Sequence, residues 1–315
     1  MNSSYRVGTR KSPLALKQTQ MIIESLQRLH PRDLRIQNPE ILGILTTGDC
    51  IADKGLVDFG GKALFVKEIE QALLENRIDF GVHSLKDVEA NLYPGFQLAS
   101  VSEREIVNDV LIVKSAIGAV SINDLKQGAI IGTCSPRRRA QLLDLRPDLE
   151  IVPLTGNILT RLSKLEKNSL DAIVLAFAGL KRLDLFERDG QLKGYPNLVG
   201  YSLSLESMVP AVGQGVLVTQ TLVRDETITG FLKTINHKET EACITAERTL
   251  LKIMGGDCRT PIAAYCSPTS LSELHLRVFY KPSESEKPIR FELIGKLESP
   301  EELGARACQE IRKKI

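Results

Sequence analysis

The sequence predicts an α/β protein of two or three domains, the first two built alike and the last a small α+β unit. Three observations carry this. The chain has 315 residues, long for a single hydrophobic core. A short strand, Gly-Thr, Ser-Pro and then a helix occur twice, at Gly8 to Pro13 and at Gly132 to Pro136. The stretch beyond Gly256 reads as three strands and a helix.

Composition narrows the class. Apolar residues make up 43% and charged residues 25%, as in ordinary globular proteins. A formal net charge of +2 is too balanced for a dedicated nucleic-acid binder, so any anion site has to be local. The longest apolar run, 172–180, is too short to cross a membrane. Residues 5–9 form no signal-peptide core, because Arg10 and Lys11 interrupt them. A cytoplasmic protein is expected, with neither membrane nor nucleic acid as partner.

The first unit opens with strand 5–7. Gly8-Thr9-Arg10-Lys11-Ser12-Pro13 then leads into a helix with Ala15, Thr19, Ile22, Ile23, Leu26 and Leu29 on one face. Residues 34–45 read as strand. Residues 46–62 hold four glycines and little periodicity, the signature of a lid or binding loop. Helix resumes over 65–74. Strand 80–82 runs into His83-Ser84-Leu85-Lys86-Asp87, which places Lys86 and Asp87 at the strand's C-terminal end, the functional edge of open α/β sheets. By residue type alone these two also suit a surface ion pair.

The second unit begins after Arg104. Strand 110–113 and a capped helix over 121–127 precede strand 129–131 and the second Gly-Thr turn. There Ser135 is an N-cap and Pro136 occupies the first helical position. The following turn carries Arg137, Arg138 and Arg139, beside unpaired N–H groups and the positive end of the helix dipole. Three cations at that end point to an anion, for which arginine forks are suited, with a solvated basic helix face as the other reading. Arg161 lies in the first turn of a third helix, 158–167, after Thr155-Gly156-Asn157. Strand 172–175 and helix 178–183, with Lys181 and Arg182, follow. Pro210-Ala211-Val212-Gly213-Gln214-Gly215 reads as a crossing back to the first unit. Helix 237–253 then leads to the last unit, with strands 263–266, 274–280 and 289–294 and a helix from Ser299.

None of the six cysteines forms a C-x-x-C pair, so neither zinc nor a disulfide framework is expected. Most should be buried apolar side chains. Cys258 differs: it lies on the loop Gly255-Gly256-Asp257-Cys258-Arg259-Thr260-Pro261, where Arg259 favours a thiolate and Asp257 opposes it. It is the best reactive-thiol candidate of the six, although on these residues alone an inert loop cysteine is the default.

Together these segments resemble the hydroxymethylbilane synthase, or porphobilinogen deaminase, family. The similar stretches are 8–16, 60–68, 83–88, 132–138, 160–165, 178–183, 210–215 and the Cys258 loop, in the family's order over nearly the whole chain. The resemblance implies two periplasmic-binding-protein-like α/β domains plus a small α+β domain, with limits at 1–104 with 216–236, 105–215 and 237–315. It implies a transferase that deaminates and joins four porphobilinogen molecules on a dipyrromethane primer, without metal, in tetrapyrrole (haem) biosynthesis. Cys258 is then the thioether anchor and Asp87 the catalytic group. Lys86, Asp87, Ser135, Arg137 and Arg138 would hold cofactor; Arg10, Ser12, Arg161 and Arg182 would hold substrate. Lys62 and Phe65 would belong to a loop over the cleft. Porphobilinogen and the growing oligopyrrole are the implied ligands, the enzyme is expected to be monomeric, and the product would be handed to uroporphyrinogen-III synthase.

The chain departs from the family pattern at Thr155 and Thr47, where arginines are expected, and at Cys134 and Pro136, where serine and leucine are common. Loss of an arginine at 155 bears on affinity or rate more than on identity. The alternative reading is a non-enzymatic two-domain binding protein for an anionic small molecule, which would need neither Cys258 nor Asp87. A phosphate-transferring enzyme would need a Walker-type loop or an Asp-rich metal site, and the sequence has neither.

Overall fold

The computed structural model describes residues 4–51, 65–256 and 260–315. The first unit contains β1 (Arg6–Arg10), α1 (Pro13–Leu29), α2 (Leu34–Gln37), β2 (Glu40–Ile44), α3 (Thr47–Ile51), α4 (Lys67–Leu74), β3 (Phe80–Ser84) and β4 (Phe96–Val101). The second contains β5 (Asp109–Lys114), β6 (Ile130–Gly132), α5 (Pro136–Leu145), β7 (Glu150–Val152), α6 (Ile158–Lys167), β8 (Ala172–Ala176), α7 (Phe177–Arg182), β9 (Gln191–Leu192) and β10 (Tyr195–Ser202). The chain then returns to the first with β11 (Leu217–Leu222) and α8 (Glu226–Lys233). The last unit is α9 (Lys238–Ile253), β12 (Ile262–Pro268), β13 (Glu273–Tyr280), β14 (Ile289–Lys296) and α10 (Pro300–Arg312).

The first sheet has the order β2-β1-β3-β11-β4. β1 runs parallel to β2 and β3, while β11 is antiparallel to both its neighbours. The glycine-rich 210–215 segment therefore does lead back into the first unit. The second sheet has the order β7-β6-β8-β5-β10-β9. Its central strand β5 is buried on both faces, and strict alternation divides it. Leu111 and Val113 join one core with Ile131, Leu142 and Val174, while Val110 and Ile112 join another with Leu162, Ile173 and Leu180. Each such side chain stabilises the fold by about 1.5–3 kcal/mol when fully buried.

In the third unit α9 and α10 cover one face of an antiparallel sheet, burying Ala246, Leu250, Leu303 and Ile311 against Leu274, Leu276 and Val278. The other face puts Ala263 and Phe279 against Ala140 and Val209 of the second unit. Cys243, Cys266 and Cys308 are buried and unbridged, as small apolar side chains.

Three expectations fail. Residues 46–62 are not loop throughout, since Thr47–Ile51 form α3. Residues 34–45 are not one strand: the Asp33 side chain accepts from Arg35 N and starts α2, and Pro39 then resets the backbone so that only Glu40–Ile44 pairs with β1. Residues 121–127 are not a capped helix. A single 3-10 turn, Ile122–Asp124, forms without a side-chain cap, because Ile122 and Leu125 need only one turn to dock into the core.

Candidate active site

The two crossings between the α/β units are fastened to the third. Arg104 on the outward crossing donates from Nη1 and Nη2 to the two oxygens of Glu247 on α9, at 2.7 and 2.9 Å. Glu247 is fully buried and also accepts from Gly213 N on the return crossing and from Cys266 N on β12, both at 2.8 Å. Gly213 has φ +70°, and a Cβ there would lie 2.7 Å from Leu85, so this close approach requires glycine. The next residue on α9, Arg248, donates to the carbonyls of Val88, Glu89 and Ala90, directly after Asp87. Burial, with no carboxylate paired to it among the described residues, pushes its pKa down to about 10.

On the first wall, the Ser12 side chain caps α1 by accepting from Ala15 N at 3.3 Å. Arg10, at the end of β1, lies between two carboxylates. It donates to Asp49 at 2.5 and 3.3 Å, and its Nη1 stands 3.8 Å from Asp87 Oδ2. Its guanidinium covers the ring of Phe65 at 4.1 Å. Asp49 also accepts from Thr46 Oγ1 at 2.7 Å. Burial would raise the Asp49 pKa, but the hydrogen bonds from Arg10 and Thr46 outweigh it and hold the carboxyl low. Lys86 and Asp87 sit in the 3-10 turn that continues β3. Lys86 is open to the cleft yet ringed by protein. Desolvation pushes its ammonium down to about 8, with Asp87 opposing and Arg138 adding to the shift. Beneath it His83 is buried with Nε2 unpaired, and desolvation lowers it to about 4, so it is neutral near pH 7.

On the opposite wall the Ser135 side chain caps α5, accepting from Arg138 N at 3.4 Å. The anion expected at this helix start is the protein's own. Asp109, fully buried at the head of β5, accepts from Arg137 Nη2 and Arg138 Nη2, each at 2.7 Å. Arg137 also donates to Val209 O and Arg138 to Val174 O, leaving the Nε of each buried and unpaired. Two guanidiniums against one carboxylate leave a buried net charge of +1 at this helix start. Burial alone would raise the Asp109 pKa; the charges of Arg137 and Arg138 reverse this and hold it well below the ordinary carboxylate range. Arg139 points outward, toward Glu284 at 3.5 Å.

Arg161 lies in the first turn of α6, behind the Asn157 cap, and its Nε donates to Gly156 O at 2.7 Å. Desolvation lowers its pKa; Arg138 and Arg10 add to this, while Cys134 and Asp87 oppose it, and these neighbours span both walls. Arg182 instead faces the return crossing, donating to Gly215 O at 2.7 Å. Cys258 and Lys62 lie outside the described residues.

Sequence reasoning missed Asp109 and Asp49. Each had a signal. An acid heading a wholly apolar strand, Asp109 before Val110 to Val113, has to find a buried partner. Thr46 and Asp49 have capping-box spacing, and they do exchange bonds between backbone N and side chain.

Two α/β lobes are joined by two crossings, and cations of both lie near one acid at a strand end, the arrangement of a two-lobed protein with charged facing walls. The family description "Porphobilinogen deaminase, dipyromethane cofactor binding domain" matches residues 5–230, and "Porphobilinogen deaminase, C-terminal domain" matches 241–313. The chain is 41% identical to the Rickettsia rickettsii porphobilinogen deaminase over 286 residues, covering 89% of this chain and 77% of the relative. It is 40% identical to that of Carboxydothermus hydrogenoformans over 311 residues, covering 99% and 94%. The chain belongs to the porphobilinogen deaminase family. Its backbone also overlaps a crystal structure of the Bordetella pertussis BvgS VFT2 domain, with a TM-score of 0.45, 13% identity, and 74% and 85% of the two chains covered.

Proposed function

We propose that the cleft between the two α/β lobes is where porphobilinogen is deaminated and joined, with Asp87 as the catalytic carboxylate. Family membership makes the chain a transferase of haem biosynthesis that works on a dipyrromethane cofactor. The observation that carries the assignment is the placement of Asp87. It stands at the C-terminal end of β3, 3.8 Å from Arg10, with Lys86 beside it and Arg161 among its electrostatic neighbours.

The cleft suits a group rich in carboxylates. Lys86 and Arg161 have no carboxylate within ion-pair distance among the described residues, and Arg137 and Arg138 keep buried Nε–H groups unpaired. Lys86, Ser135, Arg137 and Arg138 would hold the dipyrromethane, whose thioether we assign to Cys258. When bound, that group supplies the free pyrrole carbon to which the first substrate unit is joined. Arg10, Ser12 and Arg161 would take the substrate's arms, Ser12 through the O–H its capping role leaves over. Arg182 would contribute the N–H groups not used on Gly215. Lys62 and Phe65 would close over Arg10, which already covers the Phe65 ring.

Asp87 acts on the substrate as ammonia departs. The pyrrole nitrogen then gains positive charge, and the carboxylate stabilises it through the N–H and moves a proton to the leaving amine or from the coupled ring. We also assign the domain limits 1–104 with 216–236, 105–215 and 237–315, a monomer, a cytoplasmic location, and hand-off of the product to uroporphyrinogen-III synthase. Among the described residues no helix is long and apolar enough to cross a membrane. The test is a single turnover with one added porphobilinogen on cofactor-loaded Asp87→Asn. Wild-type adduct formation in that variant would remove Asp87 from the mechanism.

A further inference from the structure

The wall formed by the second sheet carries a cation that none of the assignments above uses. Lys164 lies one turn beyond Arg161 on α6, and a three-residue helical spacing sets their Cβ atoms about 5–6 Å apart on one face. Both side chains grip the loop beyond β7 through neutral oxygens. Arg161 Nε donates to Gly156 O at 2.7 Å, and Lys164 Nζ donates to Thr155 O at 3.2 Å, with Thr155 Oγ1 at 3.5 Å. Neither cation pairs with a carboxylate among the described residues. Arg137 and Arg138 are matched to Asp109, Arg10 to Asp49, and Arg104 to Glu247, while Arg182 is turned to Gly215 O on the return crossing.

Lys164 is half-buried. An ammonium has three N–H donors and no acceptor, so two neutral oxygens leave it a donor and its whole charge. Partial desolvation without a counter-ion is unfavourable, and an arriving anion relieves it. Porphobilinogen presents such anions in a matching pattern, since its acetate and propionate stand on adjacent ring carbons. We propose that Arg161 and Lys164 work as a pair, one cation to each arm of the incoming pyrrole, which makes Lys164 a substrate-binding residue that selects for two carboxylates. Arginine fixes one arm with a directional fork, and lysine holds the other as a point charge that tolerates rotation. This rests on the cleft being the substrate site, as set out above.

The experiment is steady-state kinetics of the cofactor-loaded enzyme with porphobilinogen and with its two monoamides, in which one arm or the other is neutral. Wild type should show KM raised about tenfold or more by either amide, the value of one charge-assisted hydrogen bond. Lys164→Gln keeps a donor for Thr155 O and removes the charge. It should raise KM for porphobilinogen about tenfold with little change in kcat, and it should abolish the penalty for one amide while keeping the other. Lys164→Arg should restore both KM and the lost penalty. If Lys164 only braces Thr155, the Gln variant keeps the wild-type KM and both penalties, and the pairing is overturned. A wild-type holoenzyme that does not consume porphobilinogen would overturn the substrate assignment itself, and the pairing with it.

Discussion

Asp109→Asn isolates the device that fixes the positive wall of the cleft. In the native protein Asp109 Oδ2 accepts from Arg137, and Oδ1 accepts from Arg138 and, at 3.1 Å, from Gln214 Nε2. Asparagine keeps the shape but turns one oxygen into a donor that meets another donor, and it leaves two buried guanidiniums without a counter-charge. Removing one partner of a buried ion pair costs about 3–5 kcal/mol. At about 4 °C per kcal/mol for a lobe of about 110 residues, the melting temperature of the second lobe should fall by roughly 12–20 °C. The sign with pH follows from the depressed folded-state value. Unfolded Asp titrates near ~3.9, so the stabilisation is fully present above that and is lost as pH falls toward the lower folded value. Differential scanning calorimetry from pH 7 down to pH 3 should therefore show the gap between wild type and variant narrowing at the acid end. A variant within about 1 kcal/mol of wild type at pH 7 would refute the reasoning, because the arginines would then need no internal anion.

Other outcomes follow from the same geometry. With Asp87 about 4 Å from the developing charge at an effective dielectric of ~20, the attraction is about 4 kcal/mol, so Asp87→Asn should lose about a thousandfold in kcat; Asp87→Glu should keep a measurable fraction, and equal losses would count against the charge argument. Arg137→Ala and Arg138→Ala should lower cofactor loading, measured by intact mass, whereas Arg139→Ala, exposed beside Glu284, should match wild type. Lys86 is charged below its pKa of about 8 and loses its charge as pH rises through it, so uptake of the dipyrromethane by cofactor-free protein, followed by intact mass, should fall on that limb. Lys86→Arg should move the limb upward, and an unmoved limb excludes Lys86 as its source. Glu247→Gln leaves Arg104 buried without its carboxylate; urea unfolding should show a loss of about 3–5 kcal/mol, and an unchanged midpoint would mean the crossings are held elsewhere.

Local chemistry was legible in the sequence and distant pairing was not. The bounds of α6 and its Asn157 start could be read directly, because cap, periodicity and the following polar turn agree. The same holds for Ser135 before α5 and for the crossing at 210–215. Strands β4 and β10 went unread: β10 contains Pro196 and Gly200, which speak against a strand until β5 is there to pair with it. Asp33 and Pro39 divide residues 34–45, which read as one strand. At the site, the residue types and strand ends could be named, but not which charges were already matched. Asp109 lies 28 residues from Arg137, and Asp49 lies 39 from Arg10. Only the sheet order brings them together, so two arginines that read as open ligands turned out to share an internal carboxylate.

The central claim is that this cleft works around a dipyrromethane bonded to Cys258. The intact mass of freshly purified protein tests it most directly. The mass should exceed that of the sequence by two porphobilinogen units less the ammonia lost in bonding, the added mass should map to the peptide containing Cys258, and Cys258→Ala should lose both adduct and activity. An unmodified wild type that polymerises porphobilinogen at full rate would contradict the account.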